Sequence, residues 1–245
     1  MINLSRLKNI YKKTNIQSEI ISQILYGEKF LILKRYRDWL KIKTTYDDYI
    51  GYIKNNNLTN KSQFKKKVSV LKGQIYFLKK NIFFKKKKNF LPFASKINIL
   101  EKKNGFVRYD KNKWLRDSDL KFLIHKKKFI DVMKLFINCP YKWGGKSYEG
   151  IDCSALIQIY YMYNNKFFPR DTKDQIKFKK GFKFKNKFSK GDIIFWKGHV
   201  AICINSKNLI HAYGPKKKVL IMPVKKTIKL IKKTAHLDIK KIYKI

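Results

Sequence analysis

From about residue 17 to residue 58, apolar and polar positions alternate with a period of two, broken by short turn signals. Ser22-Gln23-Ile24-Leu25-Tyr26-Gly27-Glu28 leads to Phe30-Leu31-Ile32-Leu33, and then to Trp39-Leu40-Lys41-Ile42-Lys43. An Asp47-Asp48 turn opens Tyr49-Ile50-Gly51-Tyr52-Ile53. Short strands at small intervals predict a small all-β barrel. A weaker copy follows: Val68–Leu71, Ile75–Leu78, Ile97–Leu100, Gly105–Tyr109, and Trp114-Leu115-Arg116 closing on Asp119-Leu120. The lysine run between Phe84 and Phe90 predicts a solvated hairpin or loop. The polar stretch 60–67 predicts a linker.

Near Lys126 the period changes. Phe129, Val132, Met133 and Phe136 recur at helical spacing and predict a helix that ends before Pro140. Cys153, Leu156, Ile157, Tyr160 and Tyr161 write a second helix, and Pro169–Gln175 reads as a turn with a helix start. Strands are predicted over Asp192–Trp196, His199–Asn205, Asn208–Ala212, Val219–Val224 and Lys240–Ile245. Helices first and an antiparallel sheet after is an α+β order. The expected domains are 1–60, 66–122 and 125–245.

Composition changes this picture little. A formal charge of +43 suggests a polyanion partner, but six arginines stand against 53 lysines spread over the whole length. Nucleic-acid readers use Arg for bidentate and stacked contacts, so the charge reads as compositional drift and no nucleic-acid partner is expected. Cys139, Cys153 and Cys203 show no metal spacing and no disulfide framework. No metal or cofactor is expected. The N-terminus lacks the apolar core of a signal peptide, and no stretch has the length of a membrane span. The expectation is a cytoplasmic protein without a membrane partner; oligomeric state is not written in the sequence.

Chemistry concentrates in the last third. Gly144, Gly145 and Gly150 permit a tight backbone entry to Asp152-Cys153-Ser154, with Asp152 as N-cap. Cys153 would then begin a helix whose free N–H groups favour the thiolate that attacks carbonyls. Two of only four histidines, His199 and His211, fall in apolar strands 12 residues apart. On adjacent antiparallel strands they can be neighbours, one as base for Cys153 and the other as its orienter. A single Cys at a helix start or a single His in a strand is more often a packing residue; three in patterned contexts reverse those odds. Cys139 and Cys203 read as structural, His125 and His236 as surface residues, and Glu28, Asp48 and Tyr49 as exposed turn residues.

The phrases "PYKWGG…GIDCSA", "PRDTKDQ", "KGDIIFW…GHVAICI" and "LIHAYG", in that order, resemble the NlpC/P60 family of cell-wall peptidases over roughly 125–245. The upstream "YGE", Trp and "YIGYI" resemble bacterial SH3 domains. The resemblance implies an α+β papain-like catalytic domain preceded by two small all-β SH3-like barrels. It implies Cys153 as nucleophile, His199 as base and His211 in the third polar position. Tyr141 matches a tyrosine that helps bind substrate and hold the oxyanion, while Asp152 and Ser154 match positions lining the substrate site, the Asp able to meet a free amine. The implied activity is a cysteine endopeptidase cutting the γ-D-glutamyl-diamino-acid bond of murein stem peptides, free peptides in cell-wall recycling. Ala155 departs from the family's usual Gly after "DCS". Two alternatives stay open: a non-catalytic basic SH3-like binder of wall polymer or nucleic acid, and a thiol amidase or acyltransferase of the same fold.

Overall fold

The computed structural model describes residues 1–60, 63–181 and 187–245. The chain divides into two compact units, Met1–Lys126 and Lys127–Ile245. Most regular structure is strand, and no helix among the described residues is long and apolar enough to cross a membrane.

The first unit holds two five-stranded antiparallel sheets. The first comprises β1 (Leu7–Tyr11), β2 (Ile20–Leu25), β3 (Phe30–Arg35), β4 (Trp39–Thr44) and β5 (Ile50–Lys54), in the order β2-β1-β5-β4-β3. Period-two alternation turns Ile10, Ile24, Phe30, Leu40, Ile42 and Ile53 to one side, where they form a core. Among the described residues the sheet does not close on itself. The start of β3 takes its hydrogen bonds from the N-terminal segment instead of β2: Phe30 N–H donates to Met1 O at 2.9 Å, and Asn3 N–H to Glu28 O at 3.1 Å.

The second sheet comprises β6 (Lys72–Lys79), β7 (Ile82–Pro92), β8 (Glu101–Lys103), β9 (Phe106–Asp110) and β10 (Lys113–Arg116), in the order β7-β6-β10-β9-β8. It too stays open. The lysine run, expected in a solvated hairpin or loop, lies exposed in β7, one arm of the hairpin that β6 and β7 form, where the register slips between Lys85 and Phe90. An edge strand tolerates such a run because its lysines reach water and block further pairing. The expected linker is also partly structural. Residues 61 and 62 lie outside the described residues, but Lys66–Val68 is a strand between Lys96–Ile97 and Leu120–Phe122. Lys66 is buried against Asp117, and Lys67 Nζ donates to Leu123 O at 2.7 Å. Glu28, expected to be exposed, is 6% exposed, and its charge acts on Lys96.

The second unit carries α1 (Phe129–Leu135), α2 (Cys153–Tyr163), the single turn α3 (Thr172–Gln175) and α4 (Val224–Ala235). Its sheet comprises β11 (Asp192–Trp196), β12 (His199–Cys203), β13 (Asn208–Tyr213), β14 (Lys218–Pro223) and β15 (Lys241–Lys244), in the order β14-β13-β12-β11-β15. Ile194, Ala201, Leu209 and Ile231 pack in one buried cluster. Every residue of α2 except Tyr160 is buried, so α2 lies in the core and the start of its first turn is held rigidly. The periodic residues predicted both α1 and α2. The strand expected over Val219–Val224 stops at Pro223, whose fixed φ suits a residue entering a helix, and Val224 opens α4.

Candidate active site

The loop before α2 is shaped by close backbone contact. A Cβ on Gly145 would stand 2.3 Å from Gly150 O, and one on Gly150 would stand 2.4 Å from Lys142 Cβ. Only glycine fits at either position, and the turn they form delivers Asp152 to the helix start. Asp152 Oδ1 accepts from Ala155 N–H at 2.8 Å, the expected N-cap. Ala155 is fully buried, yet its N–H completes the cap, so the extra methyl leaves this geometry intact.

Asp152 is also the centre of a buried network that the sequence did not reveal. Arg170 Nη2 donates to Asp152 Oδ2 at 2.6 Å and Arg170 Nη1 to Oδ1 at 3.0 Å, a bidentate pair. Ser154 Oγ donates to Oδ1 at 2.9 Å and accepts from Arg170 Nη1 at 2.8 Å, while Gly144 N–H donates to Oδ2 at 3.0 Å. Five donors saturate the carboxylate. In this structure Arg170 is the cationic partner of the Asp152 carboxylate. Arg170 is fixed in turn through Gln175, whose Nε2 donates to Ser154 O at 3.0 Å and Pro169 O at 2.8 Å.

Cys153 is the first residue of α2 and is 5% exposed. The backbone N–H groups of Val200, the residue after His199, and of Ser154 lie near enough to its sulfur to lower its pKa. This places the thiol beside the start of β12. A lowered pKa was expected from the helix start. Instead burial, and then the Asp152 charge, push the thiol up to about 12 against the opposing pull of Val200 N–H, Arg170 and Ser154 N–H. Desolvation outweighs the helix terminus because so little of the sulfur reaches water. Tyr141 is joined to this corner by backbone: its N–H donates to Lys217 O at 2.9 Å, and it bridges to Ile151. Burial, then the nearness of Cys153 and Asp152, raises its phenol's pKa and keeps it protonated.

A two-residue hairpin, Lys197-Gly198, turns β11 into β12 and pairs Trp196 with His199. Gly198 takes φ 74° there, a value L side chains resist. In the β12–β13 register, where Ile202 faces Ile210, His199 and His211 lie diagonal on one face. Their rings meet: His199 Nε2 is 2.9 Å from His211 Nδ1. Tyr213 stacks on His211 at 4.7 Å and 11°, and Trp196 lies 5.6 Å from His199. On its far side His211 Nε2 is 3.4 Å from Met222 Sδ.

That contact favours one pair of tautomers. A thioether only accepts, so His211 carries its proton on Nε2 and presents a bare Nδ1. His199 then donates from Nε2 and keeps its own Nδ1 bare, free to take a proton. Both imidazoles are held neutral. Burial brings His199 down to about 4, and burial together with the neighbouring His199 brings His211 lower still. Among the described residues no cluster of His, Cys, Asp or Glu is arranged to hold a metal. Cys139 and Cys203 are buried free thiols.

Residues 138–236 match the NlpC/P60 family, and residues 10–58 match the bacterial dipeptidyl-peptidase SH3 domain. The chain is 26% identical to dipeptidyl-peptidase 6 of Lysinibacillus sphaericus over 86% of each chain. It is 25% identical to the gamma-D-glutamyl-L-lysine dipeptidyl-peptidase of Bacillus subtilis, over 85% of this chain and 77% of that one. In fold it is similar to the crystal structure of an NlpC/P60 family protein from Bacillus cereus, with a TM-score of 0.77 and 20% identity over 91% of this chain and 93% of that one. The chain thus joins a bacterial dipeptidyl-peptidase SH3 domain, over residues 10–58, to an NlpC/P60 domain, over residues 138–236, and is a cysteine peptidase.

Proposed function

We propose that this chain hydrolyses the γ-D-glutamyl-diamino-acid bond of free murein stem peptides, with Cys153 as nucleophile, His199 as base and acid, and His211 as orienter. The single observation carrying these roles is the 2.9 Å approach of His199 Nε2 to His211 Nδ1, on strands beside the buried start of α2. The names of the Bacillus subtilis and Bacillus cereus relatives, both gamma-D-glutamyl-L-lysine dipeptidyl-peptidases, support the substrate class.

In this account thiol and imidazole both rest neutral. His199 Nδ1 takes the Cys153 proton as sulfur bonds to the γ-carbonyl carbon of D-Glu. The oxyanion is held by Cys153 N–H and the protonated Tyr141 hydroxyl; one such donor is typically worth about a hundredfold in turnover. The imidazolium gives its proton to the leaving amine as the C–N bond breaks, leaving a thioester. Water, deprotonated by His199, then breaks the C–S bond and restores the thiol. Asp152 and Ser154 shape the substrate site by holding Arg170 and the first turn of α2.

Residues 1–60 and 66–122 are proposed as a pair of SH3-like domains, and 125–245 as the catalytic domain. The support for the second SH3-like domain is its core of Val68, Ile75, Val107, Tyr109 and Leu115, which parallels that of the first. Three buried free thiols suit a reducing, cytoplasmic setting and a recycling role. The test is incubation with L-Ala-γ-D-Glu-diaminopimelate and its N-acetylated form, beside Cys153→Ala. Release of L-Ala-D-Glu from the free-amine peptide alone, lost in the variant, is expected. Equal cleavage of both forms would keep the chemistry and reject the preference for free peptides.

A further inference from the structure

A cleft of about 480 Å³ opens on the His199 side of the site, between Tyr141, Tyr213 and the last two turns of α4. It shares Tyr141 and His199 with the proposed machinery. Because His199 delivers the proton to the leaving amine, the residue carrying that amine must pass beside it. The cleft is therefore the place for the leaving group.

Its lining has a definite polarity. Leu230, Ile231 and Leu237 give it an apolar side, and Lys197 and Lys216 line it as exposed residues. The other ionisable groups facing it are Tyr141, Tyr213 and His199, and no carboxylate is among the lining residues. The nearest acid in sequence, Asp238, follows Leu237 and is paired with Lys232 at 3.0 Å. Lys217 and Lys218 continue the positive run past the rim, and Lys232 and Lys233 continue it along α4.

We propose that this cleft selects a leaving diamino acid that ends in a second carboxylate, diaminopimelate and not lysine, with Lys197 and Lys216 as the specificity-determining residues. The inference rests on the peptidase function proposed above and departs from the lysine in the relatives' names. A lysine side chain would carry an unpaired ammonium to a rim with two ammonium groups and no acid. The far end of diaminopimelate adds a carboxylate that both rim lysines can meet. The α-carboxylate is common to both leaving groups, so only the distal group separates them.

The test compares kcat/KM for L-Ala-γ-D-Glu-diaminopimelate and L-Ala-γ-D-Glu-L-Lys on single preparations of the wild-type chain and Lys197→Glu/Lys216→Glu. The ratio within one preparation cancels any loss of folded protein. Exposed pairs are individually weak, so the expected wild-type preference is about tenfold for diaminopimelate, inverted in the double variant. It should shrink toward unity in 1 M salt, where the screening length is about 3 Å. That salt readout needs no variant. Equal cleavage of both peptides by the wild-type chain would overturn the inference and leave the peptidase intact. An equal loss on both peptides in the variant would also overturn it, because the lysines would then read only the shared α-carboxylate. Cleavage of neither peptide by the wild-type chain would instead sink the proposed function on which the inference stands.

Discussion

Met222 Sδ stands 3.4 Å from His211 Nε2, on the side of the ring opposite His199. A sulfur that only accepts stands at the end of the His199–His211 chain. It favours one tautomer at each of the two histidines and adds no charge to a buried site.

Met222→Leu keeps the volume and removes the acceptor. His211 is then free to move its proton to Nδ1, which would turn a donor toward His199. The expected result is a severalfold fall in kcat with KM little changed, in keeping with roughly 1 kcal/mol for a hydrogen bond of this kind. Nitrogen chemical shifts of the two rings provide the check: wild type should show protons on both Nε2 atoms, and the variant a mixture.

The resting thiol should behave as a thiol. With Cys153 pushed up to about 12 and His199 down to about 4, no thiolate–imidazolium pair forms in the empty site. Alkylation of Cys153 by iodoacetamide should rise about tenfold per pH unit through pH 9. A fast, pH-independent plateau between pH 5 and 8 would contradict the neutral pair.

The two imidazoles also set a pH dependence of stability. Their folded pKa values lie below the unfolded value near 6.5, so above 6.5 both states are neutral and stability is fully present. As pH falls from 6.5 toward about 4, the unfolded chain binds protons that the folded chain refuses, and stability is lost. Melting temperature should drop over that interval, and less steeply in His199→Asn/His211→Asn. Parallel curves for the two proteins would refute this origin.

Arg170→Ala should be among the costliest single changes in the catalytic unit. It leaves Asp152, 5% exposed, as a buried carboxylate without its bidentate partner. A loss of about 3–5 kcal/mol is expected by urea unfolding. Arg170→Lys should recover only part of it, because an ammonium cannot span both oxygens.

Much of the site was legible in the sequence because its signals are local. The glycine turn, the N-cap and the helical period of Cys153, Leu156, Ile157 and Tyr160 are written within a few residues of each other. The diagonal placement of His199 and His211 followed from their spacing and strand pattern. Three things were not legible, each for a tertiary reason. The raised thiol pKa depends on how deeply α2 is buried. Arg170 reaches Asp152 across 18 residues of chain, and Met222 reaches His211 from the next strand. Helix α4 also carried a local signal, with Val224, Thr227, Ile228 and Ile231 at helical spacing and lysines between them, although a strand and no helix was expected up to Val224. The lysine run in β7 was legible as a solvated hairpin, because an edge strand turns such side chains to water.

The most direct test of the central claim is the intact mass of the wild-type chain, acid-quenched during turnover of L-Ala-γ-D-Glu-diaminopimelate. The account predicts a covalent L-Ala-γ-D-Glu adduct that maps to the peptide containing Cys153, with neither adduct nor turnover in Cys153→Ala. Undiminished turnover by Cys153→Ala, with no adduct on the wild-type chain, would contradict it.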